Sequence, residues 1–287
     1  MSHPVPPMDA IIDFNGLPAC RLALADGSTA VIALQGAQLL SWNPGGKGER
    51  IYLSPEARYA PGQPLRGGVP VVFPQFADLG PLPRHGFART SPWQLDEVRQ
   101  DPKAGYAAAI FSLRDDEASR ALWPHAFELE LAVGISSGRL DLELEIRNPG
   151  DSPFSCTAAL HSYLRVKEVE ESYLTGLYNA PYTDRRNGRQ QRDSAPELMV
   201  DDELDRLYPR LGRPLLLSEP QRSLAIHNEG FPDLVLWNPW EHQCAALTDM
   251  PARGFRHMLC IEAAAVGEPL VLPAGGEWWG RQTLVCV

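Results

Sequence analysis

The feature that most constrains this chain is a strict two-residue alternation through its middle. Phe127, Leu129, Leu131, Val133 and Ile135 are separated by Glu128, Glu130 and Ala132 among others. After Ser136-Ser137-Gly138 the pattern resumes as Leu140, Leu142, Leu144 and Ile146, set between Asp141, Glu143, Glu145 and Arg147. Successive side chains of a strand point to opposite faces. The spacing therefore predicts an antiparallel hairpin with one buried face and one solvated face, ended by Asn148-Pro149-Gly150-Asp151. A third alternating run covers 155–166. Two strand-like runs lie within 21–39, on either side of Asp26-Gly27, and residues 269–273 and 282–287 read as strands around Ala274-Gly275-Gly276.

Helical spacing is rare. It appears at 201–211, where Leu204, Leu207, Tyr208 and Leu211 predict one short helix. The polar stretch 178–196, with Asp184-Arg185-Arg186-Asn187-Gly188, reads as a long surface loop, a class more often functional than decorative. The 27 prolines and 24 glycines fall between short strands, which points to an all-β sandwich or barrel with few short helices. No break in composition divides the 287 residues, so a single domain is expected, preceded by a loosely ordered, Pro-rich lead-in over 1–13.

The net charge of −10 argues against nucleic acid or an anionic membrane surface as partner. No apolar run is long enough to span a bilayer, and the first residues do not read as a signal peptide. The five scattered cysteines, without a C-x-x-C, suit reduced thiols and a cytoplasmic protein. His85, His161, His242 and His257 are far apart, with no H-x-H pair, so no metal is expected. No G-x-G-x-x-G or P-loop is present, so no nucleotide cofactor is expected either.

Candidate chemistry gathers in a few short runs. Arg66-Gly67-Gly68-Val69-Pro70 and His85-Gly86-Phe87-Ala88-Arg89 pack two arginines and a histidine among glycines, prolines and aromatics. Guanidinium groups grip phosphate or carboxylate bidentately, so the runs read as a cationic rim for a small anion or as a loop with solvated arginines. His161 interrupts a strand-like alternation and shares a face with Tyr163 and Arg165, a face that must line a cavity or meet solvent. It is either a core histidine or a proton carrier. Glu262 is one carboxylate in the apolar run 258–266, so it needs a partner or a pocket. Trp237-Asn238-Pro239-Trp240 offers indole faces for a sugar and an amide for its hydroxyls, or two core tryptophans. Asp205 alone reads as a solvated charge.

In their order and spacing these runs resemble the aldose 1-epimerase superfamily, and within it the hexose-6-phosphate 1-epimerase branch. The residues that carry the resemblance are Arg66-Gly67-Gly68-Val69-Pro70 with Phe73-Pro74, His85-Gly86-Phe87-Ala88-Arg89 with Trp93, and Ala159-Leu160-His161-Ser162-Tyr163 with Arg165-Val166. Asp205-Arg206 with Tyr208, Trp237-Asn238-Pro239-Trp240 and Cys260-Ile261-Glu262 complete it. The resemblance implies a galactose-mutarotase-like antiparallel β-supersandwich and exchange between the α and β anomers of a phosphorylated aldohexose, without cofactor or metal. By motif position it makes Glu262 the general base and His161 the general acid. It gives Asp205 and His85 sugar-contacting or histidine-supporting places, and it makes Arg66 and Arg89 phosphate ligands. Trp237 and Gln75 join the expected substrate-binding residues, although the family commonly carries an aromatic where Gln75 stands. The expected partner is a small sugar phosphate bound by a monomer. A mutarotase for free aldohexoses and a non-catalytic carbohydrate-binding sandwich are the alternatives.

Overall fold

A computed structural model describes residues 10–101 and 105–287. Among the described residues the strands form three antiparallel sheets of four, eight and nine strands, with only two short α-helices, Glu117–Leu122 and Trp240–Ala246. The alternating run folds as expected into paired strands Glu128–Ser136 and Arg139–Arg147. These lie inside the nine-stranded sheet, between Tyr106–Arg114 and Glu277–Cys286. Leu129, Leu131, Val133, Ile135, Leu140, Leu142, Leu144 and Ile146 are buried in one core. Fully burying one such side chain is worth about 1.5–3 kcal/mol, and a one-residue slip would turn the whole set outward. That penalty fixes the register.

The facing layer is the eight-stranded sheet. Its order is Arg189–Arg192, Pro181–Asp184, Leu204–Tyr208, Asp233–Asn238, Met258–Leu272, Phe154–Leu160 and Val71–Val72, with Tyr163–Arg165 also paired to Met258–Leu272. Leu204, Leu234, Leu236, Ile261 and Ala263 turn one face of this sheet into the common core. The layers are bolted together where the chain breaks between Phe154–Leu160 and Tyr163–Arg165. There the buried Ser162 hydroxyl meets Gln282 Oε1 at 2.5 Å, and Gln282 Nε2 donates to the Ile261 carbonyl. The four-stranded sheet joins Ile11–Phe14, Leu17–Ala23, Thr29–Ala33 and Leu39–Asn43 in sequence order.

Three expectations are corrected. The helix expected over 201–211 is the strand Leu204–Tyr208, paired with Asp233–Asn238. Leu204 and Tyr208 also sit four apart on a strand face, so the spacing fits both periods. The expected surface loop 178–196 contains the hairpin Pro181–Asp184 and Arg189–Arg192, whose turn ends at Gly188 with φ 74°. Of the expected lead-in, residues 1–9 lie outside the described residues, whereas Ala10 is buried and Ile11–Phe14 is a paired strand. The strands foreseen near the end are longer than expected, reaching Met258–Leu272 and Glu277–Cys286.

Candidate active site

The outer face of the eight-stranded sheet carries the chemistry. Asp205 pairs across to Trp237, Trp237 to Cys260, and Cys260 to Tyr163, so these residues form one lateral row. In the next row Val235 pairs with Glu262. The register Leu160↔Ala263 and Tyr163↔Cys260 leaves His161 directly across from Glu262. Residues two apart on a strand share a face, so the alternation that buries Ile261 and Ala263 beneath the sheet projects Glu262 above it.

His161 Nε2 lies 3.4 Å from Glu262 Oε1, and both side chains are almost fully buried, at 7% and 1% residual exposure. That distance is long for a direct hydrogen bond. It suits two groups that meet through a shared hydroxyl. His161 Nδ1 and Glu262 Oε2 have no hydrogen-bond partner in the protein. Burial drives the Glu262 carboxyl well above the usual carboxylate range, and the neighbouring Asp205 adds to this against the opposing pull of Arg185 and Arg84. Burial, followed by the guanidinium groups of Arg89 and Arg66, pushes His161 down to about 3. In the ligand-free pair the environment therefore favours the neutral form of both groups, a proton on the carboxyl and none on the imidazole.

Loops close the cleft around this pair. Residues 84–89 turn back onto Phe73, whose carbonyl accepts from the N–H groups of Phe87 and Ala88. Gly86 is required there, because a Cβ would collide with that same carbonyl and the residue has φ 70°. His85 is thereby turned inward. Its Nδ1 accepts from the Ala77 N–H at 3.3 Å, which leaves the ring proton on Nε2. Its ring stands edge-on to His161, with centroids 5.3 Å apart. Burial, with His161, Arg89, Arg84 and Arg185 beyond it, holds His85 far below its ordinary range, so it is a neutral donor.

Arg66 is held from two sides: its Nε donates to Asp249 Oδ1 at 3.1 Å and its Nη1 to the Tyr163 hydroxyl at 3.2 Å. Burial opposes its charge, and Tyr163 and Asp249 outweigh that opposition. Arg89 has no such support. Its Nη2 donates to the Arg84 carbonyl at 2.7 Å, its Nε is buried without a partner, and burial together with Arg66 and Arg84 works against its charge. Two guanidinium groups side by side, one of them without a carboxylate, make a prepared anion site.

The sequence-selected residues His161, Glu262, Arg66, His85, Arg89, Asp205 and Trp237 all line this cleft. Gln75 does not. Its amide holds the following loop, donating to the Ala77 and Leu82 carbonyls and accepting from the Leu82 N–H, so its expected place among substrate ligands is corrected. Asn238 is likewise structural: its Nδ2 donates to the Phe255 and Met258 carbonyls and its Oδ1 accepts from the Trp240 N–H. Trp240 packs on Phe255 away from the cleft, and the Arg165 side chain is exposed elsewhere. Sequence reasoning missed Arg84 and Asp249, and it marked Arg185 only as part of the polar stretch 178–196. They lie in loops and a turn with no periodic signal. Tyr163 was signalled by its two-residue spacing from His161 and by its place in the run Ala159-Leu160-His161-Ser162-Tyr163, without a role of its own.

His161, Cys260 and Glu262 offer donor atoms within 4.8 Å of one another. They do not fit a cation. Burial, and Glu262 after it, hold the Cys260 thiol well above its usual range, and four arginines line the cleft. The donor set suits exchange of a proton under an anion.

Comparison with known proteins places the chain. The model of the family described as aldose 1-epimerase matches residues 19–285. A protein of Cenchrus ciliaris is 34% identical over 284 residues, covering 95% of this chain and 86% of its own length. One of Escherichia coli is 32% identical over 249 residues, covering 83% of this chain and 80% of its own length. Both bear the name "Putative glucose-6-phosphate 1-epimerase". The crystal structure of a protein described as a "putative mutarotase" from Salmonella typhimurium superposes with a TM-score of 0.89 at 28% identity, covering 96% of this chain and 92% of that one.

Proposed function

The chain belongs to the aldose 1-epimerase family, and from that premise we propose that it interconverts the α and β anomers of a hexose 6-phosphate, with glucose 6-phosphate as the first substrate to test. The observation that carries the phosphate is Arg89. A guanidinium whose Nε is buried and unpartnered, beside a second one, is costly unless an anion joins it.

The reaction follows from the pair opposite. Glu262, as carboxylate, takes the proton of the anomeric hydroxyl, and the electron pair of that O–H bond becomes the second C1–O bond of the aldehyde. The C1–O5 bond breaks, its electrons stay on O5, and His161, as imidazolium, supplies the proton to O5. Rotation about C1–C2 turns the other carbonyl face to O5. Reclosure then uses the same two groups with their roles exchanged. His85 and Asp205 hold ring hydroxyls, and Trp237 presents its indole to the apolar face of the ring. The phosphate does more than anchor. A dianion between Arg66 and Arg89 offsets the two charges that, after burial, disfavour the imidazolium of His161, which moves the shared proton toward the imidazole where ring opening needs it.

All of these groups come from one chain, so we take the monomer as the working unit and the chain as one catalytic domain. The five cysteines are free thiols, and among the described residues no helix is long and apolar enough to cross a membrane; both fit the cytoplasm that we propose as its location. Exchange NMR between the anomers of glucose 6-phosphate, with and without protein, tests the reading. Catalysed exchange well above the spontaneous rate is expected. Equal catalysis of free glucose would move the assignment to a mutarotase for unphosphorylated sugars.

A further inference from the structure

The hairpin turn after Asp184 has a job in the cleft that the anomer-exchange scheme does not assign. Asp184 is buried and its carboxylate fastens the turn. Oδ1 accepts from the N–H and Nε of Arg186, both at 3.0 Å, while Oδ2 accepts from Arg186 Nη2 at 2.8 Å and Asn187 Nδ2 at 3.1 Å. Arg186 is additionally tied to the Glu203 carbonyl. The N–H of Arg185 donates to the carbonyl of Asp205 itself at 2.8 Å. The turn thus delivers the Arg185 guanidinium back over the sheet, 4.8 Å from the centre of the Phe76 ring and 3.8 Å from Asp205 Oδ1.

We propose that Arg185 is the positioning residue for the proton pair: its guanidinium is the counter-charge to the partly buried Asp205 and the buried Glu262 and sets how readily Glu262 releases its proton. This rests on the reading of His161 and Glu262 as the reacting pair. The other charged and titratable groups facing Glu262 do not replace Arg185. Asp205 is negative, Cys260 and Tyr163 are buried with their protons held, and His85 and His161 are neutral in the free protein. Arg66 and Arg89 act on His161, whereas the cations that act on Glu262 are Arg185 and Arg84. Arg84 also pulls on Glu262, but it is largely exposed and already ion-paired with Asp78. Arg185 is mostly covered and pairs only weakly with Asp205.

The sign of the effect is fixed. A pair holding one proton is the reactive form, and its alkaline limb marks loss of that proton. A positive charge favours the loss, so removing it moves the limb to higher pH. For Arg185→Gln the alkaline limb of kcat, corrected for spontaneous exchange, should rise by about one pH unit. At neutral pH kcat should fall about tenfold, because the proton stays on Glu262, while KM for glucose 6-phosphate hardly moves. Arg185→Lys should restore most of both. Difference infrared spectroscopy provides an arm that needs no turnover. The carboxylic C=O band that Glu262→Gln removes should titrate at higher pH in Arg185→Gln and at lower pH in Asp205→Asn. In the double variant it should lie near the wild-type position.

A rise in KM with unmoved limbs would make Arg185 a phosphate ligand and overturn the proposal. A uniform loss of kcat with an unmoved infrared band would make it structural and overturn it equally. Wild-type protein without anomer exchange would sink the functional reading instead, and the infrared arm would still decide the charge relation.

Discussion

The ring of Tyr163 lies parallel to that of His161, with centroids 4.8 Å apart and planes within 10°, while its hydroxyl accepts from Arg66 Nη1 at 3.2 Å. One side chain therefore touches both working ends of the cleft, the proton carrier and the anion grip. The two-residue spacing of His161 and Tyr163 on one sheet face produces the stack. The Arg66 loop, closing over that face, finds the phenol as its acceptor.

Tyr163→Phe should separate the two functions. The stack survives, but Arg66 loses one of its two partners. The lost bond is charge-assisted, worth about 1.5–3 kcal/mol, but Asp249 still holds Arg66 and the phosphate contact itself remains, so affinity for glucose 6-phosphate should fall by only a few-fold to about tenfold, with kcat little changed. Tyr163→Ala should lower kcat as well, because His161 then loses its support. Saturation curves of anomer exchange report both parameters. A drop in kcat alone for Tyr163→Phe would contradict this division.

Removing either member of the proton pair should nearly abolish turnover. Glu262→Gln keeps the volume but cannot accept the anomeric proton, and His161→Asn cannot supply one to O5. Each loss should be about a hundredfold to ten-thousandfold, with sugar phosphate still bound. Because both act in one step, the double variant should be little worse than either single one. Losses that multiply would show independent roles.

Stability should depend on pH with a sign set by the histidine. His161 titrates near 3 when folded, against an ordinary value of about 6.5 when unfolded. Between those values the unfolded chain binds a proton that the folded chain refuses. The contribution is therefore fully present above about pH 6.5 and is lost as pH falls, by up to about 1.4 kcal/mol per pH unit. Glu262 acts in the opposite sense, because its folded value is raised: its contribution is lost as pH rises above the ordinary carboxyl range. Measured against wild type at the same pH, the urea midpoint of His161→Asn should be more favourable at about pH 5 than at about pH 7.5, and Glu262→Gln should be the more stable protein at the higher pH. A midpoint difference from wild type that is less favourable at about pH 5 than at about pH 7.5 would reverse the assignment of His161.

Much of this was legible in the sequence, for a physical reason. The strands around Leu129 and Leu142 obey a period of two because one face is buried and the other is wet. His161 and Glu262 stand out because a charge or an imidazole in an apolar run needs a reason. Leu204–Tyr208 was misread because four-residue spacing of apolar groups satisfies a helix and a strand alike, and only pairing with Asp233–Asn238 decides. Asp249 was invisible, and Arg185 stood out only as one residue of the polar stretch 178–196, because their roles arise from contacts between distant segments, Asp249 with Arg66 and Arg185 with Phe76. Gln75 misled because proximity to Phe73-Pro74 in sequence does not tell which way an amide turns. Here it turns into its own loop.

The two arginines of the anion grip should respond differently to removal, because only one is already satisfied. Arg66 has Asp249 and Tyr163, so Arg66→Ala strands an acid and a phenol as well as deleting a phosphate ligand. Arg89 has a single carbonyl and a buried, unpartnered Nε, so its charge is a burden on the ligand-free fold. Both changes should weaken binding of glucose 6-phosphate by about tenfold to a hundredfold, the worth of a charge-assisted hydrogen bond of roughly 1.5–3 kcal/mol. Any activity on free glucose should hardly change with Arg89→Met, since that sugar presents no anion. The ligand-free stabilities should move in opposite directions: Arg66→Ala should lower the melting temperature, and Arg89→Met, which keeps the volume without the charge, should leave it unchanged or raise it. Added glucose 6-phosphate should stabilise wild type far more than either variant, because ligand that binds only the folded state adds stability in proportion to its affinity. Calorimetric melting with and without the sugar phosphate measures all four quantities. If Arg89→Met melts early and binds the phosphate normally, Arg89 is a structural residue, and the preference for phosphorylated sugar must come from elsewhere in the cleft.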